Sequence, residues 1–267
     1  MSKFLTALSL AVVLLSVSSA FASVQVIPLL DVQGEGNTGL LIGISDSQLK
    51  ELLPDMKMKS QILAFLVKTP DENIFFDTGL GDGHIIKRLA ENGLKPEDIK
   101  TILLTHLHPD HFGGLVDENN NAAFPNADIY VNAVERAYWV NDAKNEAVIN
   151  ALNLYSERVH VFNFGDEVIS GIKALDASGH TPGHTVFDVN NEVLIVGDIM
   201  HFPEVQLRMP EVSVKYDIDP DKARESRIKI LDYAAEKNIT IAGMHITPPG
   251  ILKIKKSGLN KTGYEKF

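Results

Sequence analysis

The sequence predicts an α/β fold in which two β-sheets pack face to face with helices outside. Three features carry this expectation. Short β-rich runs alternate with polar turns through both halves of the chain. Capped helical segments are interspersed in each half. Histidines and aspartates follow several of the apolar runs directly, and strand exits of a packed sheet converge on one edge, where functional loops sit. No internal repeat or low-complexity linker interrupts the 267 residues.

The first residues stand outside that pattern. Lys3 precedes an apolar run from Phe4 to Val17, broken only by Thr6, Ser9 and Ser16, and Ala20-Phe21-Ala22 is an A-x-A site. We read a Sec-type signal peptide over 1–22, cleaved after Ala22, and expect a periplasmic or secreted protein. The run is short for a membrane span of about 20 residues. The mature chain, 23–267, is expected to form a single hydrolase domain with no membrane anchor.

Strands are expected over Val24–Leu29 and Leu40–Ile44. Ser45–Leu53 reads as a helix, with Ser45 and Gln48 spaced as a capping box and Pro54 just beyond. Ile62–Lys68 and Asn73–Asp77 read as a hairpin, Ile85–Asn92 as a helix stopped by Gly93, and Lys100–Leu104 as a strand. In the second half, Asp128–Val131 is a strand and Ala133–Val140 a helix. Val159–Phe162 and Ile172–Leu175 are strands, and Val186–Val189 with Glu192–Val196 forms a hairpin at Asn190-Asn191. Asp219 and Pro220 suit the N-cap and first position of a helix reaching about Lys237, and Thr240–Ala242 is a last strand.

Composition narrows the chemistry. Cysteine is absent, which removes disulfides, thiolate nucleophiles and Cys metal ligands. The net charge is −10, and loss of Lys3 makes the mature form one unit more negative. An acidic surface repels phosphate backbones, so nucleic acid is not expected as a partner. A small-molecule substrate is. A homodimer is compatible with the chain, although no residue argues for one.

The most specific segment is Thr105-His-Leu-His-Pro-Asp-His111, which sets three imidazoles and a carboxylate behind the apolar run Ile102-Leu103-Leu104. Histidines at i and i+2 of an extended chain point the same way. Asp110 and His111 follow at a turn and reach a second nearby point. The arrangement suits two divalent ions, zinc first, with manganese or iron as alternatives. Three further segments bring ligand-type groups to strand exits: Ala177-Ser-Gly-His-Thr-Pro-Gly-His184, Ile195-Val-Gly-Asp198 and Ala242-Gly-Met-His245. Two such ions sharing a water lower its pKa toward neutrality and supply a bridging hydroxide, while polarising a carbonyl or phosphoryl oxygen. Asp110 is the candidate catalytic residue, placed to hold that hydroxide and pass its proton onward.

Together these motifs resemble the metallo-β-lactamase superfamily: HxHxDH at His106–His111, GHTPGH at Gly179–His184, Gly197-Asp198, a late His245 and the upstream Asp77-Thr78-Gly79, all in the family order. The resemblance implies a four-layer αβ/βα fold. It implies that His106, His108 and His180 bind one metal, that Asp110, His111 and His245 bind the other, and that Asp198 bridges both. It also implies that His184 orients its turn through a hydrogen bond and that Asp77 supports the cluster from behind.

Missing features sort the branches. Absent cysteine excludes the Cys-ligand β-lactamases, and the β-lactamase subclass with HxHxDH lacks the bridging aspartate that Asp198 provides. About 22 residues follow His245 by the numbering, too few for the helical domain of glyoxalase-II-like thioesterases. The chain looks most like the secreted methyl parathion hydrolase-like branch. The supporting residues are Gln61–Thr69, Gly197-Asp-Ile-Met-His201, His245-Ile-Thr-Pro-Pro-Gly250 and the helix at Asp219-Pro220. Quorum-lactone hydrolases share the ligand set but carry a tyrosine after the bridging aspartate; the nearest in this sequence is Tyr216. The expected reaction is hydrolysis of a carboxylic ester, lactone or phosphoester. Iron-dependent oxidation of the sulfur dioxygenase kind, β-lactamase-type amide hydrolysis and non-catalytic metal binding are the rivals. Phe112, Met200, His201 and Phe202 flank ligands and are candidates for an apolar substrate pocket.

Overall fold

The computed structural model describes residues 24–69, 72–258 and 263–267; the expected signal peptide at 1–22 lies outside the described residues. The first half contributes β1 (Gln25–Gly36), β2 (Leu41–Ile42), β3 (Met58–Lys68), β4 (Asn73–Phe76), β5 (Thr101–Leu103), β6 (Asp128–Asn132) and β7 (Val159–Phe162). All except β2 form one sheet in the order β1-β3-β4-β5-β6-β7. β1, β3 and β4 are antiparallel neighbours, while β4 to β7 run parallel. Parallel neighbours need crossovers, and the helices α1 (Asp46–Leu52), α2 (His84–Glu91), α3 (Pro109–Phe112), α4 (Ala133–Ala137) and α5 (Glu146–Leu154) lie in the connections of this half.

The second half supplies β8 (Glu167–Ile169), β9 (Ile172–Asp176), β10 (Thr185–Val189), β11 (Val193–Ile195), β12 (Ser213–Val214), β13 (Thr240–Ala242), β14 (Ile251–Leu252), β15 (Ile254–Lys256) and β16 (Tyr264–Lys266). Its sheet runs β14-β13-β11-β10-β9-β8, and β12–β2 and β15–β16 are separate pairs. Helices α6 (Pro203–Gln206) and α7 (Pro220–Lys237) belong to this half.

Strand alternation explains the four layers. Phe76 and Leu103 point inward and meet Ala174, Phe187 and Ile195 of the facing sheet. Their neighbours Phe75 and Ile102 point outward onto Leu89 of α2 and Val148 of α5. Leu194 and Ile241 likewise cover Ile230 and Leu231 of α7. Strands buried on both faces read as continuous apolar runs, which is why Ile102–Leu104 shows no alternation in sequence. The expected αβ/βα architecture is therefore present.

Local differences have local causes. Leu40–Ile44 shrinks to the two-residue β2, because Asn37 caps a tight 3-10 turn over Thr38–Leu40. Helix α5 was not expected from the sequence, although Asn145 caps it and Val148, Ala151 and Leu152 form its buried stripe. α4 runs on into a π-helical turn over Tyr138–Asp142. Among the described residues no helix is long and apolar enough to cross a membrane.

Candidate dinuclear metal centre

The site lies where parallel strands end. Asp77 follows β4 and His106 and His108 follow β5, while Asp198 follows β11 and His245 follows β13 of the other sheet. The turn 177–184 between β9 and β10 adds His180 and His184. The structure thus brings together all seven ligand candidates in two groups that share Asp198: His106, His108, His180 and Asp198, and Asp110, His111, Asp198 and His245.

Separations within each group fit coordination. In the first, His108 Nδ1 lies 3.0 Å from His106 Nε2 and 2.9 Å from His180 Nε2, and Asp198 Oδ2 lies 3.3 Å from His180 Nε2. In the second, His111 Nε2 is 3.2 Å from Asp198 Oδ1 and 3.6 Å from Asp110 Oδ2, and His245 Nε2 is 3.4 Å from Asp110 Oδ2. Donors bound at 2.0–2.2 Å around one tetrahedral ion stand about 3.4 Å apart. His111 Nε2 and Asp198 Oδ1 are also buried with no hydrogen-bond partner among the described residues. Buried polar atoms normally have partners, so this pair fits a cation between them.

Three of the imidazoles are aimed from behind. A carboxylate or carbonyl only accepts, so the nitrogen facing it carries the hydrogen. His111 Nδ1–H donates to Asp77 Oδ2 at 2.7 Å, His180 Nδ1–H to Asp217 Oδ1 at 2.8 Å, and His245 Nδ1–H to the Gln61 carbonyl at 2.6 Å. Each leaves Nε2 for the site. Asp77 also accepts from the Thr105 amide and hydroxyl, and it holds a left-handed φ of 56°. A non-glycine residue in that region stores strain, about 1–3 kcal/mol, here coincident with three hydrogen bonds that orient the cluster.

His184 uses both nitrogens elsewhere. Nδ1–H donates to the Ala177 carbonyl at 3.1 Å, and Nε2 accepts from the Asp198 amide at 2.9 Å. It therefore positions Asp198. Burial, and next the nearby His180, push its pKa down to about 3, consistent with a neutral ring.

Electrostatics centre on Asp198. Burial alone would raise its carboxyl, but His111, His245 and His201 more than offset this and hold it well below the usual range. Asp110 behaves likewise, with His111 and His245 outweighing burial. In return, Asp198 and Asp110 outweigh burial at His245 and push it up to about 10. The crowded His108 goes the other way, to about 3, through burial and His180.

The substrate candidates separate into two pairs. Phe112 is buried in the core under α2 and α5, and Met200 in the core under α7; neither lines the cleft, which corrects the expectation for both. Both side chains are almost fully buried and fill the layers behind the site. His201 and Phe202 do line a cleft of about 710 Å³ over Asp110 and Asp198. His201 stacks on His245 with centroids 4.6 Å apart and puts Nε2 3.2 Å from Asp198 Oδ2.

Asp217, Arg227 and Glu135 escaped the sequence reading, which noted Tyr216 only as the nearest tyrosine after the bridging aspartate. Tyr216 lines the same cleft, 5.6 Å from the His201 ring. Asp217 orients His180 and lies 3.6 Å from the buried Arg227. Glu135 accepts from the Leu107 and Gly183 amides, the Thr181 hydroxyl and the Trp139 indole, tying the two histidine turns together. No spacing marks any of these four, because each reaches the site across long sequence gaps.

A family model described as the metallo-beta-lactamase superfamily matches residues 59–245. An N-acyl homoserine lactonase of Bacillus cereus is 26% identical over 168 residues, covering 53% of this chain and 63% of its own length. The match thus spans less than two thirds of that relative. The crystal structure of the hydrolase AbOPH, of the beta lactamase superfamily, is 32% identical, covers 92% of this chain and 94% of its own, and superposes with a TM-score of 0.83. AidC, a dizinc quorum-quenching lactonase solved with a product, is 27% identical, with coverages of 91% and 94% and a TM-score of 0.81.

Proposed function

The chain belongs to the metallo-β-lactamase superfamily and is a dinuclear metallohydrolase of that fold, and from this premise we propose that it opens the ester bond of a small lactone. The observation that carries the reading is the complete set of donors around Asp198 at the floor of an open cleft. The lactonase relatives support the lactone as substrate class. So does Tyr216, which stands in the cleft despite its distance in sequence from Asp198. The sequence runs 61–69, 197–201 and 245–250 support a place in the methyl parathion hydrolase-like secreted branch, with the leader at 1–22 removed and one domain remaining. Zinc is the expected metal, since imidazole and carboxylate donors suit it.

His106, His108 and His180 would hold one ion, Asp110, His111 and His245 the other, with Asp198 between. When bound, two such ions polarise a carbonyl and make water acidic near neutral pH. The protein supplies the rest. Asp77, Asp217 and the Gln61 carbonyl keep three Nε2 atoms aimed inward. Asp110, the ligand candidate whose carboxylate is 22% exposed, faces the cleft and takes the proton released as water adds to the carbonyl. That proton then passes to the leaving alkoxide as the ring opens. His201, Phe202 and Tyr216 position the substrate along one wall.

Turnover of the metal-loaded protein against an acyl-homoserine lactone, an aryl ester, an aryl phosphotriester and a cephalosporin tests this. The expected result is chelator-sensitive lactone opening that falls at least about 100-fold in Asp110→Asn, within the range of general acid–base catalysis. Lactone turnover absent in a protein holding two metals would overturn the reading.

A further inference from the structure

We propose that Asp31, Asp82 and His84 form a third divalent-cation site, separate from the dinuclear centre, which pins the loop at the mouth of the cleft. One donor atom from each lies within 4.8 Å of the other two, and none of the three belongs to the groups around Asp198. His84 Nδ1 is 3.1 Å from Asp82 Oδ2 and 3.7 Å from Asp31 Oδ1. Donors bound at about 2.1 Å in tetrahedral or octahedral geometry stand about 3.0–3.5 Å apart, so small movements of the two exposed side chains complete the set.

Asp31 is the telling member. Its side chain is fully buried, 0% exposed, on a β-strand that otherwise pairs regularly. The register of β1 against β3 shifts between Leu30 and Val32, leaving Asp31 as the extra residue of a bulge, a device that re-aims a side chain. Its Oδ2 accepts from the Leu80 amide at 2.7 Å. Its Oδ1, facing His84, has no hydrogen-bond partner among the described residues. A buried carboxylate oxygen without a donor is costly. The backbone also closes on it: a Cβ at Gly79 would meet Asp31 Oδ2 at 2.4 Å.

Two carboxylates and an imidazole suit a borderline cation such as Zn²⁺ or Mn²⁺ better than Ca²⁺ or Mg²⁺. The exposed sides of His84 and Asp82 give it a path from solvent. Bound there, it ties β1 to the loop that follows Asp77-Thr78-Gly79. That loop carries Leu80 and β1 carries Glu35, and both line the cleft.

Zinc stoichiometry of the full-length protein, stripped with chelator, reloaded and desalted, decides the matter, alongside Asp31→Asn, His84→Ala and Asp198→Asn. Wild type is expected to hold one equivalent more than Asp31→Asn or His84→Ala. Asp198→Asn is expected to lose dinuclear-site zinc and keep the His84-dependent equivalent, so failure of the hydrolase reading stays separate from failure of this one. His84 is largely exposed, so its variant decides alone if Asp31→Asn does not fold. Equal stoichiometry in wild type and His84→Ala would overturn the proposal and leave Asp31 and Asp82 sharing a proton.

Discussion

Asp217 Oδ1 lies 2.8 Å from His180 Nδ1, and this contact decides which nitrogen of His180 faces the metal centre. Asp217 is held in turn by the Val214 amide at 3.1 Å and by Arg227, whose guanidinium also donates to the Pro210 and Val212 carbonyls. Asp217→Asn removes the charge that strengthens the His180 bond while keeping its shape. Metal affinity at the His106/His108/His180 group should fall by about 10–100-fold, the usual effect of losing such a partner. Chelator competition measures it; unchanged affinity would sink the orienting role.

Asp198→Asn should cost metal content and turnover together. The carboxylate stands 3.0 Å from His245 Nε2 and 3.2 Å from His111 Nε2, and it is the sole residue common to both donor groups among the described residues. A variant with full metal content and full turnover would refute the bridging position.

Much of this was legible because chemistry and sequence coincide locally. Thr105–His111 holds four ligand-type residues in one stretch, and the Asp219-Pro220 start of α7 announces itself by cap chemistry. The parallel strands were found as apolar runs. What stayed hidden depends on long-range approach. Glu135 meets Thr181 and Gly183 across nearly fifty positions, and Tyr216 enters the cleft just after β12, which pairs with the distant β2. Phe112 and Met200 misled for a related reason: adjacency to a ligand in sequence says nothing about which side of the strand exit a side chain takes.

Glu135→Gln tests the staple between the two histidine turns. The buried carboxylate accepts hydrogen bonds from Leu107, Gly183, Thr181 and Trp139. A carboxamide has one accepting oxygen and turns a donor toward two of these donors. The expected loss is on the order of 3 kcal/mol, read by denaturant unfolding. A loss below the scatter of the measurement would show that the turns hold without the staple.

Gly197→Ala should weaken folding and metal binding at once. Gly197 holds a left-handed φ of 53°, and a Cβ there would meet His184 Nε2 at 2.5 Å, the atom that positions the Asp198 amide. The overpacking should cost about 1–3 kcal/mol. A thermal melt and a zinc titration on the same sample check it, and loss of stability with zinc affinity intact would detach His184 from the centre.

Zinc uptake should release protons. In the metal-free site, burial disfavours charge on His245 and His111, yet Asp198 and Asp110 outweigh it and raise both, His245 to about 10. At pH 7 these rings carry protons that a metal must displace, so apparent affinity should rise with pH. Calorimetry in two buffers of different ionisation enthalpy should give net release of about one to two protons per protein, and no release would contradict the charge arrangement. The same shift has a consequence for stability. A folded-state pKa above the unfolded value of about 6.5 stabilises fully below that pH, and the contribution is lost as pH rises through about 10. Metal-free protein should therefore weaken between those values, whereas the zinc-loaded form, with cations in place of the protons, should hold its midpoint. Parallel denaturant titrations at pH 6.5 and 9.5 read the difference.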